Sequence, residues 1–190
     1  MKKMIITISI LLTFSIVNAQ SDTIYYENQK VKKISTIEND SGLIKLRQYY
    51  KNGQLKSLKI VNKEGQRIGK SIRYYKNGQH LYIWNHNQEG KKDGQWIEYN
   101  ENGSISSVEN YTNGLKIGIW KNYWNGYLMT KEKYNRKGSL IKKIHYKENG
   151  KPISIYSFDS KGKIISKEYF DKKGKLLDLN SKVIIKSGSY

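Results

Sequence analysis

The stretch "YYKNGQ" occurs at Tyr49–Gln54 and again, letter for letter, at Tyr74–Gln79, 25 residues later. Working outward from these copies, glycine supplies a ruler. Gly53, Gly65, Gly78, Gly90, Gly103, Gly114, Gly126, Gly138, Gly150, Gly162 and Gly174 follow one another at steps of 11 to 13 residues. Internal repetition over this length outranks any local motif as evidence of architecture. Each glycine closes a polar cluster such as "KNG", "NENG" or "DKKG". A type I turn followed by a left-handed residue is a common short hairpin connection, and glycine takes positive φ most cheaply. The ruler therefore marks hairpin turns.

Between turns lie runs such as "SLIKKIHY", "KPISIYSF" and "KIISKEYF", in which β-branched and aromatic residues mix with polar ones. Helical periodicity is absent, and a glycine every dozen residues would break any helix. The spacing predicts an all-β chain, an antiparallel meander. An aromatic residue stands just before most turns, as at Tyr50, Tyr111, Tyr134 and Phe158, and an Ile or Leu follows two places after many of the glycines. Six residues separate that aliphatic position from the next aromatic, so strict alternation puts both on one face in a continuous apolar stripe. Three units carry a second glycine four residues on: Gly65 with Gly69, Gly90 with Gly94, Gly114 with Gly118.

The phrases "YYKNGQL", "GKKDGQWIEYNENG" and "YTNGLKIGIWKNYWNG" resemble the MORN repeat in the variant form of many bacterial exported proteins. The resemblance covers Tyr49 to Asn135 and passes into a plain twelve-residue aromatic and glycine repeat from Lys137 to Leu179. It implies an elongated, twisted, single-layer sheet of stacked hairpins. It further implies a role in protein interaction or in membrane or lipid contact, and relatives of the bacterial variant are often described as antitoxins.

The ends divide the chain into four parts: 1–19, 20–43, 44–135 and 136–190. Residues 1–19, "MKKMIITISILLTFSIVNA", place two lysines before an apolar run and end on Val17, Asn18 and Ala19. That order matches a secretory signal peptide cleaved after Ala19, with a membrane anchor as the competing reading; the apolar run is short of the ~20 residues a spanning helix needs. Residues 20–43 are a lead-in with the first strands, 44–135 the MORN-like hairpins, and 136–190 the twelve-residue repeats and C-terminal tail. The expected location is periplasmic, envelope-associated or extracellular. An exported chain without cysteine has no disulfide and rests on packing and hydrogen bonds.

The formal charge of +19, less Lys2 and Lys3 of the leader, leaves +17. Such an excess favours anionic partners, although dispersed lysines also keep sheet edges from pairing with one another. The apolar fraction of 37%, below the ~45–50% of ordinary domains, argues against a thick core.

No catalytic site is legible. His80 and His86 share a strand and, by alternation, a face, but stand about 20 Å apart by strand rise. His145 is remote from both, so no metal set forms. No serine lies in a nucleophile elbow. Asp93, Glu98, Glu101 and Glu109 show no spacing that would fix a glycosidase pair. "GQRIGKS" at Gly65–Ser71 departs from a phosphate loop by one residue and opens a strand. No cofactor is expected. The four tryptophans, Trp84, Trp96, Trp120 and Trp124, all fall in the MORN-like region, Trp96 and Trp120 at matching positions two after the second glycine. Cross-strand stacking accounts for that regularity; the same four are the candidate binding residues, since tryptophan often dominates an interface. The expected function is a non-catalytic scaffold with a protein partner. An anionic envelope surface, polymer or glycan, or an immunity-like role, are the alternatives, and nucleic acid is disfavoured by export.

Overall fold

The computed structural model describes residues 21–38 and 42–178. The leader expected at residues 1–19 and the tail from residue 179 lie outside the described residues. Within them, fourteen antiparallel strands make one open sheet. They are β1 (Ser21–Tyr25), β2 (Val31–Glu38), β3 (Leu43–Tyr49), β4 (Leu55–Val61), β5 (Arg67–Tyr74), β6 (His80–His86) and β7 (Gly94–Tyr99), followed by β8 (Ile105–Thr112), β9 (Leu115–Lys116), β10 (Gly118–Trp124), β11 (Tyr127–Tyr134), β12 (Leu140–Tyr146), β13 (Pro152–Phe158) and β14 (Ile164–Tyr169). Each pairs with its sequence neighbour, except that the short β9 pairs β8 alone while β8 also pairs β10. The expected all-β meander is the observed one, without a helix among the described residues. Thirteen strands in line at ~4.8 Å per step give a sheet about 60 Å long.

The glycine ruler is realised as hairpin turns. At the opening stretch, the Tyr50 N–H donates to the Gln54 carbonyl at 2.9 Å and the Gly53 N–H to the Tyr50 carbonyl at 2.9 Å, with Gly53 at φ 90°. Its copy repeats the pattern through Tyr75, Gly78 and Gln79. Two turns depart from the pattern. Asn113 with Gly114 (φ 49° and 84°) and Asn125 with Gly126 (φ 48° and 82°) place both central residues at positive φ. They form the two-residue type I′ connection that Asn-Gly favours.

The expectation of one continuous apolar stripe is corrected by a bulge that recurs three residues after the glycine. Between β7 and β8, Glu98 pairs Ser107 but Tyr99 pairs Ile105, leaving Ser106 as an extra residue. Leu81, Met129, Ile141, Ile153 and Ile165 are extra in the same way. An extra residue reverses the parity of everything beyond it. Ile105 therefore joins Tyr99 on one face while Tyr111, opposite Gly94, lies on the other. Two aromatic rows result, on opposite faces and toward opposite rims. The bulge at Leu81 also overturns the common face expected for the histidines: His80 packs against Tyr74 and Tyr99, His86 against Trp96.

A single layer buries little. Among the described residues the buried apolar side chains are Val61, Ile68, Trp96, Tyr111 and Trp120. Three of these five form one cluster, with Trp84 and Tyr134 packed against it, which makes the face carrying Trp96 the structural centre.

Candidate functional site

An aromatic ladder crosses that face from β6 to β11. Tyr82 stacks on Trp84 (ring centroids 3.7 Å apart, planes 8° apart), and Trp84 stacks on Trp96 at 4.5 Å. Trp96 then meets Tyr111 at 5.5 Å, Tyr111 meets Trp120 at 5.0 Å, and Trp120 meets Tyr134 at 5.2 Å. Each such contact is worth ~0.5–1.5 kcal/mol beyond area burial.

The second glycine has a fixed cross-strand address. Gly69 lies opposite His86, Gly94 opposite Tyr111 and Gly118 opposite Tyr134. All three take positive φ (59°, 73° and 63°), the conformation glycine reaches most cheaply. The tryptophan two places on is clamped from both sides. The Trp96 indole N–H donates to the Asn85 carbonyl at 2.6 Å, and the Asn85 amide donates to the Gln95 carbonyl. Trp120 and Asn110 repeat the arrangement, the indole bond being 3.0 Å and the amide donating to the Ile119 carbonyl.

Lysines cap the ladder. Lys92 Nζ stands 4.0 Å from the Trp96 ring centroid and 4.6 Å from that of Tyr111, and Lys116 Nζ stands 4.3 Å from Trp120 and 5.3 Å from Tyr134. Carboxylates close the arrangement: the Tyr111 hydroxyl donates to Glu109 at 2.8 Å and the Tyr134 hydroxyl to Glu132 at 2.7 Å. Burial, together with the adjacent glutamates, pushes both phenols well above their usual range. Burial opposes ionisation of Glu132, but hydrogen bonds from Tyr134 and Lys143 hold its carboxyl below the usual range.

The repeating unit is now explicit: a cation, a glycine two residues on, a tryptophan two further, and a returning strand that ends in Glu-x-Tyr. It is built twice, over residues 92–111 and 116–134. The family described as "MORN repeat variant" matches residues 44–60, 67–88 and 92–113. Residues 44–113 carry MORN repeats of the variant form. A family described as "Protein of unknown function (DUF2963)" matches residues 128–169. A comparison with curated proteins finds no match. MORN repeats are generally associated with binding and scaffolding and are typically non-catalytic.

Of the four tryptophans singled out from sequence, Trp96 and Trp120 are 6% exposed and Trp84 is half-buried, all three within the ladder. Trp124 is apart from them, 67% exposed beside the Asn125-Gly126 turn, where it pairs across to Tyr127, itself 45% exposed. The capping lysines were not among the candidates, although "KKDGQW" and "LKIGIW", when aligned on the second glycine, place Lys92 and Lys116 in one column. Each histidine meets an aromatic ring, His145 doing so against Tyr156.

The opposite arrangement runs along one rim. There the Tyr26 hydroxyl donates to the Tyr49 carbonyl (2.8 Å), Tyr50 to Tyr74 (2.7 Å) and Tyr75 to Tyr99 (2.9 Å). These bonds tie each turn to the next hairpin and fix the stacking of the repeats.

Proposed function

We propose that this chain is an exported, non-catalytic MORN-repeat scaffold that docks a protein partner through the aromatic and basic surface of its sheet. The observation that carries the reading is Trp124, 67% exposed and paired with the exposed Tyr127 on a rigid two-residue turn. A large indole in water is unfavourable for a free monomer and is the side chain that most often dominates an interface. The ladder behind it supplies rigidity, since Trp120 on the same strand is clamped by its bond to Asn110. The chain's excess of lysine supplies the charge that steers an encounter.

The test is capture of a partner from the exporting cell's envelope at low and high salt. Wild-type protein, Trp124→Ala and a variant with Lys121, Lys131 and Lys133 neutralised are compared. Loss of capture in Trp124→Ala at unchanged melting temperature supports aromatic docking, because one central tryptophan is worth upward of ~2 kcal/mol against ~1 or less for an exposed charge. Normal capture by Trp124→Ala, with failure of the lysine variant and of the wild type at high salt, overturns it in favour of an anionic surface. Mass determination of the exported chain tests the leader, the expected product beginning at Gln20.

A further inference from the structure

The hairpin formed by β5 and β6 is a MORN unit in which the ladder's chemistry is inverted. Aligned on the second glycine, its Arg67 stands where the later units have Lys92 and Lys116, the cations that cap rings. Ser71 stands where they have Trp96 and Trp120, and His86 where they have Tyr111 and Tyr134. Trp84 takes the place of the carboxylates Glu109 and Glu132. Arg73 takes the place of Glu98 and Asn122. The unit has therefore lost the indole beneath its cation and the carboxylate beside it, and has gained a second guanidinium.

What remains is a small recess of about 50 Å³ on the tryptophan face, lined by Gln48, Ser57, Lys59, Arg67, Ser71 and Arg73 among others. Lys59 enters it because the ladder between β4 and β5 breaks there. Leu58 pairs Ile72 and Ile60 pairs Ile68, so three residues, Gly69 to Ser71, face one.

The polar groups in and beside the recess are unusual in lacking partners. Among the described residues, the buried side-chain atoms without a hydrogen bond are Ser71 Oγ, Arg73 Nε, Trp84 Nε1 and His86 Nδ1, all on β5 and β6. The Trp84 indole is the least isolated of these, since it faces Glu98, a carboxyl that burial raises above its usual range, with Glu109 adding to the shift and Lys92 and the Trp84 N–H opposing it. Ser71, 2% exposed, and Arg73 line the recess itself. A buried donor without an acceptor costs ~1–3 kcal/mol, more for a charged group. Burial and the charges of Arg67 and Lys33 hold the Lys59 ammonium below its usual range. The recess is thus a concentration of positive charge and unmatched donors with no carboxylate in its lining.

We propose that this recess is an oxyanion site, in which the guanidinium groups of Arg67 and Arg73, the Lys59 ammonium and the Ser71 hydroxyl hold one phosphate or sulfate group of a ligand. Guanidinium matches the geometry of such oxygens, and charge-assisted bonds to them are about twice as strong as neutral ones. The volume admits a terminal group and no ring, so anything larger leaves its body outside, against Tyr82. This goes beyond the protein-docking reading and is independent of Trp124.

The test uses titrations of the full exported chain with sodium phosphate and sodium sulfate against sodium chloride at matched ionic strength. They are read by amide chemical shifts and melting temperature. Two variants accompany the wild type: Arg73→Gln, and Ser71→Trp, which installs the ring that the later units carry. The expected result is saturable shifts at residues 57–59 and 67–73 with either oxyanion and none with chloride, and affinity weakened about tenfold or more in both variants. A second arm compares phosphatidylcholine vesicles containing one-fifth phosphatidic acid with vesicles containing one-fifth phosphatidylserine. Preferential retention on the first that disappears in Arg73→Gln puts the group on a lipid, while saturable binding of the free ions alone puts it on a soluble ligand. Wild-type shifts no larger with phosphate and sulfate than with chloride overturn the proposal. So does a folded Arg73→Gln that titrates like the wild type. Failure of Trp124→Ala to alter protein capture leaves this site untouched, so the two readings fail separately.

Discussion

A Cβ built on Gly126 would meet no atom within 4 Å, yet its φ is +82°. The constraint there is the backbone alone: the type I′ turn asks for positive φ at Asn125 and Gly126 together, and a β-branched residue resists it. Gly126→Val should therefore destabilise the hairpin of β10 and β11 by about 1–3 kcal/mol, whereas Lys172→Ala, an exposed turn substitution, should fall within about ±0.5 kcal/mol. Thermal melts of the two variants decide this, and equal melting temperatures would contradict the turn. Gly94 carries the same constraint. Its φ is +73°, and a Cβ there would meet only the Asn85 Cβ, at an ordinary contact distance of 3.7 Å, so the backbone again sets the cost.

At the scale of the element, strands and turns were legible because glycine and asparagine act through local dihedrals, which a sequence records directly. The faces were not. One extra residue per hairpin, such as Ser106 or Leu81, comes from how two strands pair, and counting along one strand does not contain it. Hence Tyr111 and Ile105 were expected together and lie apart, as do His80 and His86. The ladder was half legible. The matched column of Trp96 and Trp120 was plain, whereas the capping by Lys92 and Lys116 needed the fold to bring the turn back over the rings. Element chemistry also fixes a pH response. Burial, chiefly, then the charges of Arg67 and Lys92, lower the His86 pKa, against a bond from its ring to the Gly69 carbonyl that raises it; burial and Lys143 lower that of His145 against Glu132. A histidine whose folded pKa is depressed takes up protons more readily when unfolded, so stability is held above the ordinary value of about 6.5 and falls as pH drops through and below it. Melting temperature should fall between about pH 7.5 and 5, and the double variant His86→Gln, His145→Gln should show a shallower slope. An unchanged slope would remove the histidines from the account.

Over the whole molecule, each hairpin touches only its neighbours, so stability is the sum of unit terms and interfaces rather than the property of one core. The terms are unequal. The ladder concentrates packing on β6, β7, β8, β10 and β11, while the ends lack it: Ile24 and Tyr25 on β1 are 43% and 57% exposed, and Ile165 on β14 is 66% exposed. Amide exchange should therefore be slowest on the ladder strands and quicken toward β1 and β14, because opening from an end sacrifices few contacts. Trp96→Ala extends the argument. Its ring touches Trp84, His86 and Tyr111 and bonds Asn85, so removal creates a void of the kind that costs about 3–5 kcal/mol in a packed core, with the upper end unreachable in a sheet one layer thick. In a nearest-neighbour array that loss stays local. Exchange should accelerate on β6, β7 and β8, while β13 and β14, separated from the Trp96 strand by four or more intervening strands, keep wild-type rates. Hydrogen exchange read by mass spectrometry on wild-type and Trp96→Ala protein makes the comparison strand by strand. Equal acceleration of every strand would mean that the fourteen-stranded sheet unfolds as one cooperative unit, and the additive description would have to be abandoned.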